Sequence, residues 1–469
     1  MKKYHIITIG CQMNKSDSER IAYFLENNNL VYEEDRKKAD LVVIVTCGIR
    51  QSAENRVYGL APRIKSDNKK TKIILTGCLS ERVDVQKKIS KYIDLWMPIT
   101  KLQSLKILDN EIFLEKNKTE DYLKIKAKYN SKFSAFVPIG NGCDNFCTYC
   151  VVPYARGREV YRDADLVIKE VQELVSKGYK EITLIAQNVN SYSSSRILSE
   201  AKAESKDSEA DKVIFNRPFG YRSGSSNSKN VKDESRVNFL DLLKKINAIE
   251  GDFYLRFATS HPKDMSYELI QNLPHLNKIC EHIHLPAQSG SNKILKAMNR
   301  NYTREHYIDL IERIRKTYAK SDLPVAITTD IIVGFPGETV KDFLETYKLF
   351  KKIKFDMAYI AQYSVRPGTR AAKLEDDISS EIKKEREEKL MQILRQTSLE
   401  NNQFYLNKTV EILVEGKNKK GEYFGKTRTG KQTKIINKIC EQKDLIGEFV
   451  RVQINKVEDF GLSGGLIRF

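Results

Sequence analysis

Cys143, Cys147 and Cys150 stand at C-x3-C-x2-C spacing in the stretch Gly142-Cys143-Asp144-Asn145-Phe146-Cys147-Thr148-Tyr149-Cys150. Thiolates are soft ligands, suited to iron–sulfur clusters or to zinc. Zinc prefers four protein ligands and usually recruits a second pair of Cys or His. No histidine lies near this loop, and none of the six forms a pair at the usual zinc spacing. An electron-transfer [4Fe–4S] cluster normally takes four cysteines. Three leave one iron open for a ligand of its own. The residues therefore favour a site-differentiated [4Fe–4S] cluster, with zinc as the alternative.

Three further cysteines, Cys11, Cys47 and Cys78, each follow a short β-branched run, at residues 5–10, 41–46 and 72–77. Helical stretches lie between the runs, the pattern of an open parallel α/β sheet. Such sheets carry their functional loops at the carboxyl ends of the strands. The three thiols are therefore expected to converge on one edge. Cys280 and Cys440 stand alone and read as ordinary buried thiols. Eight cysteines placed in this way do not read as a disulfide framework.

The elements that position these residues form a three-part α/β chain. Residues 1–115 are expected to be a Rossmann-like open sheet and the Lys-rich residues 116–132 a linker. Residues 133–398 contain six strand-like runs, near 134–140, 181–186, 252–258, 281–285, 326–333 and 355–363, separated by amphipathic helical stretches. Six βα units predict a partial barrel. Residues 191–236 interrupt the series with twelve serines and no periodicity, which predicts a disordered insertion. Residues 399–469 turn all-β, with runs near 410–414, 422–425, 433–436 and 449–455, and suit a small OB-like barrel.

Polar residues at barrel strand ends sit over an active site. Gln187, Ser260 and Gln288 are accordingly candidates to contact a cofactor or substrate, and Arg300 a carboxylate. Loop hydrogen bonding and helix-surface charge are the plainer readings. His282 and His284 share a face, and at least one is expected to be structural.

Lys plus Arg number 80 against 62 Asp plus Glu, a net charge of +18. This surplus favours a polyanionic partner, although a Lys-rich surface would give the same count. Lys426, Arg428, Lys431 and Lys434 cluster beside Tyr423 and Phe424, a mixture suited to loop RNA, where phosphates and base faces are both open. No apolar run reaches the ~20 residues of a membrane span, and the N-terminus has no signal-peptide pattern. A cytoplasmic protein is expected.

At the three-cysteine loop the sequence resembles the radical S-adenosylmethionine (SAM) superfamily, and within it the methylthiotransferases. The resemblance is carried by Gly10-Cys11-Gln12-Met13-Asn14, Thr46-Cys47-Gly48-Ile49-Arg50, Gly77-Cys78, Thr259-Ser260-His261-Pro262, Gly334-Phe335-Pro336-Gly337-Glu338 and Arg366-Pro367-Gly368-Thr369. The C-terminal segment is similar to a TRAM domain. The resemblance implies SAM on the open iron held by Cys143, Cys147 and Cys150, with Tyr149 near its adenine. It implies an auxiliary [4Fe–4S] cluster on Cys11, Cys47 and Cys78 that carries the sulfur to be inserted. An unactivated C–H bond explains the need for radical chemistry, which the cofactor supplies while the protein positions.

Gln12-Met13-Asn14 and the basic turn 425–430 resemble the group that modifies N6-isopentenyladenosine (N6-dimethylallyladenosine) at tRNA position 37. The resemblance then implies the tRNA anticodon stem-loop, an electron donor and a sulfur source as partners. Threonylcarbamoyladenosine in tRNA or an aspartate of a ribosomal protein are the alternative substrates. A non-catalytic iron–sulfur RNA-binding or electron-transfer protein is the alternative of another class. Val45 departs from the asparagine common before Thr-Cys in this family, which leaves the surroundings of the auxiliary cluster open to difference.

Overall fold

The computed structural model describes residues 1–48, 51–108, 111–116, 121–195, 236–436 and 444–467. Nearly all of the expected insertion, together with Cys440, Ile49 and Arg50, lies outside the described residues.

The N-terminal sheet has five parallel strands, ordered Val31–Tyr32, Lys3–Thr8, Leu41–Thr46, Lys72–Gly77 and Leu95–Met97. Leu41–Thr46 reads Leu-Val-Val-Ile-Val-Thr and is buried throughout, as expected of a strand covered on both faces. Val42 and Ile44 pack towards Val57, Ala61 and Ile64 on one side. Val43 and Val45 pack towards Ile21 and Leu25 on the other. The helix Gln12–Asn27 also buries Asn14, Ser16, Asp17, Glu19 and Arg20. A second, polar buried face means that the helix is covered by another unit as well as by its own sheet.

That other unit is the central barrel. Its six strands follow in chain order, as two parallel ladders. Ser134–Pro138, Glu181–Ile185 and Tyr254–Ala258 form one, and His282–His284, Ala326–Val333 and Met357–Gln362 the other. A parallel bridge between Leu255 and Ile279 links them. Alternate residues such as Val137, Leu184, Leu255, Ile283, Ile327 and Ile331 pack outward into one core with the surrounding helices. Several of the intervening positions, among them Thr183, Arg256, His282, His284, Thr328 and Asp330, are polar and face the barrel interior.

The C-terminal unit is a closed barrel of five strands: Thr409–Lys417, Tyr423–Thr427, Gln432–Ile435, Gly461–Leu466 and Phe449–Glu458. The expected strands overlap four of these. The fifth, Gly-Leu-Ser-Gly-Gly-Leu, was not anticipated because its glycines hide the alternation. Closure leaves no unpaired edge.

This small barrel is fastened across the amino end of the central one. Tyr254 Oη donates to Glu411 Oε1 at 2.9 Å. Arg256 donates to the carbonyls of Thr427 and Arg428 at 2.8 and 2.9 Å. Arg428 pairs with Glu281 at 2.9 Å, and Lys431 with Asp356 at 2.6 Å. The residues of 116–132 that are described are not a loose tether: Tyr122 is buried, and its hydroxyl contacts Asp17 and Asn141.

Candidate active site

Cys47 and Cys78 each follow the last residue of a sheet strand, and Cys11 lies three residues past Thr8, at the start of helix Gln12–Asn27. The backbone brings these three strand ends together tightly. A Cβ on Gly10, whose φ is +144°, would fall 2.7 Å from Cys47 Cβ. A Cβ on Gly48 would fall 3.0 Å from Cys78 Cβ and 3.1 Å from Val151 Cγ2. Only glycine fits at position 10, and position 48 is tight for any side chain. Because Val151 follows Cys150, the same contact sets the edge of the N-terminal sheet against the second cysteine loop.

The 142–150 loop leaves the first barrel strand at its carboxyl end and is clamped by residues 297–300. Asn299 Nδ2 donates to the carbonyls of Asn145 and Phe146, both at 3.1 Å. Thr148 donates to the Ala297 carbonyl from its hydroxyl and to the Met298 carbonyl from its amide, each at 3.0 Å. Asn145 Nδ2 donates to Cys143 Sγ at 3.4 Å, and Arg300 Nη1 to Cys147 Sγ at 3.6 Å. Burial and the neighbouring Cys147 push the Cys150 thiol up, with Cys143 and Cys78 adding to it. Burial likewise raises Cys143, against hydrogen bonds from Asn145. Thiols crowded in this way ionise together only when they share a cation.

The two triads share one space. Cys78 lies within electrostatic reach of both Cys11 and Cys150. Beside Cys11 and Cys78 sits Arg156, buried, on the short helix Val152–Arg156. Its Nη2 donates to Asn14 Oδ1 at 3.2 Å and Asp17 Oδ2 at 2.5 Å, and its Nη1 to Asn141 Oδ1 at 3.0 Å. On the far side Arg366 donates to Gln51 Oε1 at 2.7 Å and reaches Glu54, which Arg82 also pairs.

The strand-end candidates surround this space. Among the described residues, Gln187 Oε1, Asn188 Oδ1 and Ser260 Oγ are buried without a hydrogen-bond partner. Buried polar atoms are normally satisfied, so three orphans at adjacent strand ends suit a polar ligand. Gln288 is buried at φ +64°, and Thr259 at +72° precedes Ser260. Backbone strain of this kind clusters at functional sites. Tyr149 is half-buried and packs with Met298, Phe335 and Tyr363.

Arg300, read in sequence as a candidate for a cofactor carboxylate, donates to Cys147 Sγ, to the Pro286 carbonyl at 2.9 Å and to the Tyr302 hydroxyl at 3.0 Å. Of the four basic residues read as an RNA contact, Arg428 and Lys431 are occupied in the joint between barrels, with Lys431 buried. The joint is invisible in sequence because both acids lie far upstream. Lys426 pairs with Glu415 at 2.8 Å while half-exposed, and Lys434 is exposed.

Residues 3–97 match a family model described as uncharacterized protein family UPF0004, residues 137–350 the radical SAM superfamily, and residues 403–467 the TRAM domain. A tRNA-2-methylthio-N(6)-dimethylallyladenosine synthase of Clostridium botulinum (strain Hall) is 40% identical, over 98% of this chain and 96% of its own. The chain belongs to the radical SAM methylthiotransferase family. A synthase of the same name from Thermoanaerobacter sp. (strain X514) is 40% identical, over 99% of this chain and 92% of its own. In fold alone, this methylthiotransferase is similar to TsrM, a radical SAM methyltransferase from Kitasatospora setae. That pair has a TM-score of 0.50 at 12% identity, covering 79% of this chain and 77% of that one.

As a methylthiotransferase the chain works with SAM and [4Fe–4S] clusters. Its residues fit them: two sets of three thiols, donors aimed at Cys143 and Cys147, and orphaned polar atoms beside them. Among the described residues no three His, Cys, Asp or Glu side chains gather around one point as for a single ion. A cluster distributes its thiolates over separate irons, so its ligands stand farther apart. Sequence reasoning passed over Asn145, Arg156, Asn299 and Arg366. For Asn145 and Arg156 the available signal was a polar residue within six positions of a cluster cysteine.

Proposed function

We propose that this methylthiotransferase converts N6-(dimethylallyl)adenosine at position 37 of tRNA into its 2-methylthio derivative. The observation that carries the reading is the meeting of two three-thiol sites at one barrel mouth, in a chain that aligns end to end with synthases named for this product. Cys143, Cys147 and Cys150 would hold the cluster that binds SAM, and Cys11, Cys47 and Cys78 the auxiliary cluster. Once bound, these groups supply a hydrogen-abstracting radical and a methylated sulfur.

The chain's own residues orient and enclose. Asn299 and Thr148 hold the 142–150 loop, while Arg300 and Asn145 direct N–H groups at cluster sulfurs, a set of contacts that tunes potential. Gln187 and Ser260 offer polar atoms to the cofactor, with Gln288 held beside them and Tyr149 against its adenine. Arg156 keeps the two triads at a set separation. The C-terminal barrel covers the amino end of the central one, which leaves the cluster side for the substrate. Lys434, with Lys426, offers charge to the anticodon stem-loop. Among the described residues no helix is long and apolar enough to cross a membrane, in keeping with an enzyme that meets tRNA, an electron donor and a sulfur source in the cytoplasm.

The test is mass spectrometry of tRNA nucleosides from cells lacking this protein and any paralogue. Loss of 2-methylthio-N6-dimethylallyladenosine, with its precursor accumulating, is expected. Persistence of the methylthio nucleoside would reject the reading.

A further inference from the structure

Among the described residues, the barrel interior holds a polar cluster that neither the thiol sites nor the barrel–barrel joint uses. His284 closes the fourth strand, while Asp330 and Tyr359 pair across the fifth and sixth. His284 Nε2 lies 3.4 Å from Asp330 Oδ2, and its ring meets the Tyr359 ring edge-on with centroids 6.0 Å apart. These residues face inward, since their neighbours Ile283, Ile331 and Ala358 belong to the outward-packed core. Tyr359 is nevertheless 55% exposed, and the Asp330 side chain 41%. Below them the interior is closed: Arg256 is taken up by Glu181 and two carbonyls of the C-terminal barrel, and the turn at Gly430 lies against His282. Above them lie Gln288, whose amide bonds the Asp330 carbonyl at 2.8 Å, and then the cysteine loop.

The layer is also oriented from beneath. Burial, with Arg256 close by, lowers the His282 pKa to about 3, so its ring is neutral. His282 Nε2 meets Thr328 Oγ1 at 2.9 Å, and Thr328 Oγ1 meets His284 Nδ1 at 3.0 Å. Of the two directions in which this chain can run, the one in which Thr328 accepts from His282 and donates to His284 Nδ1 puts the His284 Nε2 proton on the side of the Asp330 carboxylate. The carboxylate stands beside that ring, 3.4 Å from Nε2, with its side chain 41% exposed.

We propose that Tyr359 and Asp330, with His284 packed beside both, form the base-recognition layer of the active site, which holds an N6-monosubstituted adenine. Resting on the substrate reading above, this adds the groups that select the base. An exposed tyrosine gives a stacking face for a flipped-out base. A carboxylate oxygen accepts the single N6–H that a monoalkylated adenine retains. C2, the carbon to be modified, is separated from C6 by N1 and takes no part in that hydrogen bond, so it is left free for the chemistry.

The experiment uses reconstituted full-length enzyme and two anticodon stem-loop RNAs. One carries N6-(dimethylallyl)adenosine and the other its N6-methylated derivative, which lacks the N6–H. The wild type is expected to prefer the first by about tenfold or more in KM. In the isosteric Asp330→Asn that preference shrinks severalfold. Tyr359→Ala raises KM for the first RNA by about tenfold, while Tyr359→Phe, which keeps the ring, restores it. Iron content and thermal unfolding confirm that each variant is intact. A wild type that fails to methylthiolate the first RNA rejects the substrate reading and this inference together. A wild type that modifies it, with Asp330→Asn and Tyr359→Ala unchanged in KM and preference, overturns the inference alone.

Discussion

Arg156 Nη2 lies 2.5 Å from Asp17 Oδ2 and so joins the helix that follows one cysteine loop to the helix that opens beside Cys11. Their side chains are 2% and 1% exposed. Removing one member of such a pair leaves an uncompensated buried charge, at about 3–5 kcal/mol. Arg156→Ala is therefore expected to lower unfolding free energy by about that amount in a denaturant titration. Replacing both members, as Arg156→Met with Asp17→Leu, recovers much of the loss. An unchanged midpoint in the single variant would contradict the burial argument.

Arg300 acts on the chemistry through a sulfur atom. An N–H donor at 3.6 Å from Cys147 Sγ stabilises the reduced, more negative cluster. Arg300→Gln is expected to lower the midpoint potential of that cluster in an EPR-monitored titration. Deoxyadenosine formation should slow by about 10–100-fold. A potential equal to the wild type would assign Arg300 a packing role only.

The C-terminal barrel separates two kinds of lysine. Lys431 is buried against Asp356 at 2.6 Å, so Lys431→Ala should destabilise the fold. Lys434 is exposed. If it meets phosphate, Lys434→Ala reduces the slope of log K against log salt for RNA binding by about one. Equal slopes for Lys434→Ala and wild type would remove Lys434 from the interface.

Glu19 makes stability depend on pH. Burial raises its carboxyl from 4.5 to about 7, against the opposing hydrogen bond from the Asn130 amide. The folded pKa lies above the unfolded one, so the native state binds more protons between these values. Stability is then fully present below about pH 4.5 and is lost as pH rises towards about 7. Glu19→Gln should remove that fall and be about 3 kcal/mol more stable than wild type at pH 8. Parallel pH profiles for the two proteins would contradict this.

Much of this architecture is legible in sequence. The strands 41–46 and 72–77 have the bounds that their β-branched runs predict, because a fully buried parallel strand is an uninterrupted apolar run. The cysteines after them follow from the rule for parallel sheets. The roles of charged residues were less legible. Arg428 and Lys431 looked like an RNA patch because sequence shows their neighbours on the hairpin but not Glu281 and Asp356. The contacts of Arg300 with Cys147 and Pro286 were hidden for the same reason. The polar face of helix 12–27 gave no hint of burial, since its partners lie more than a hundred residues downstream.

The central claim is a division of labour between two three-thiol sites. It is tested by reconstituting wild type beside a variant with Cys11, Cys47 and Cys78 all replaced by Ala, then assaying both with SAM, reductant and the dimethylallylated stem-loop RNA. The account predicts about four fewer irons per chain in the variant, deoxyadenosine still formed, and no methylthio nucleoside. A variant that still methylthiolates the RNA, or a wild type that binds only about four irons, would contradict it.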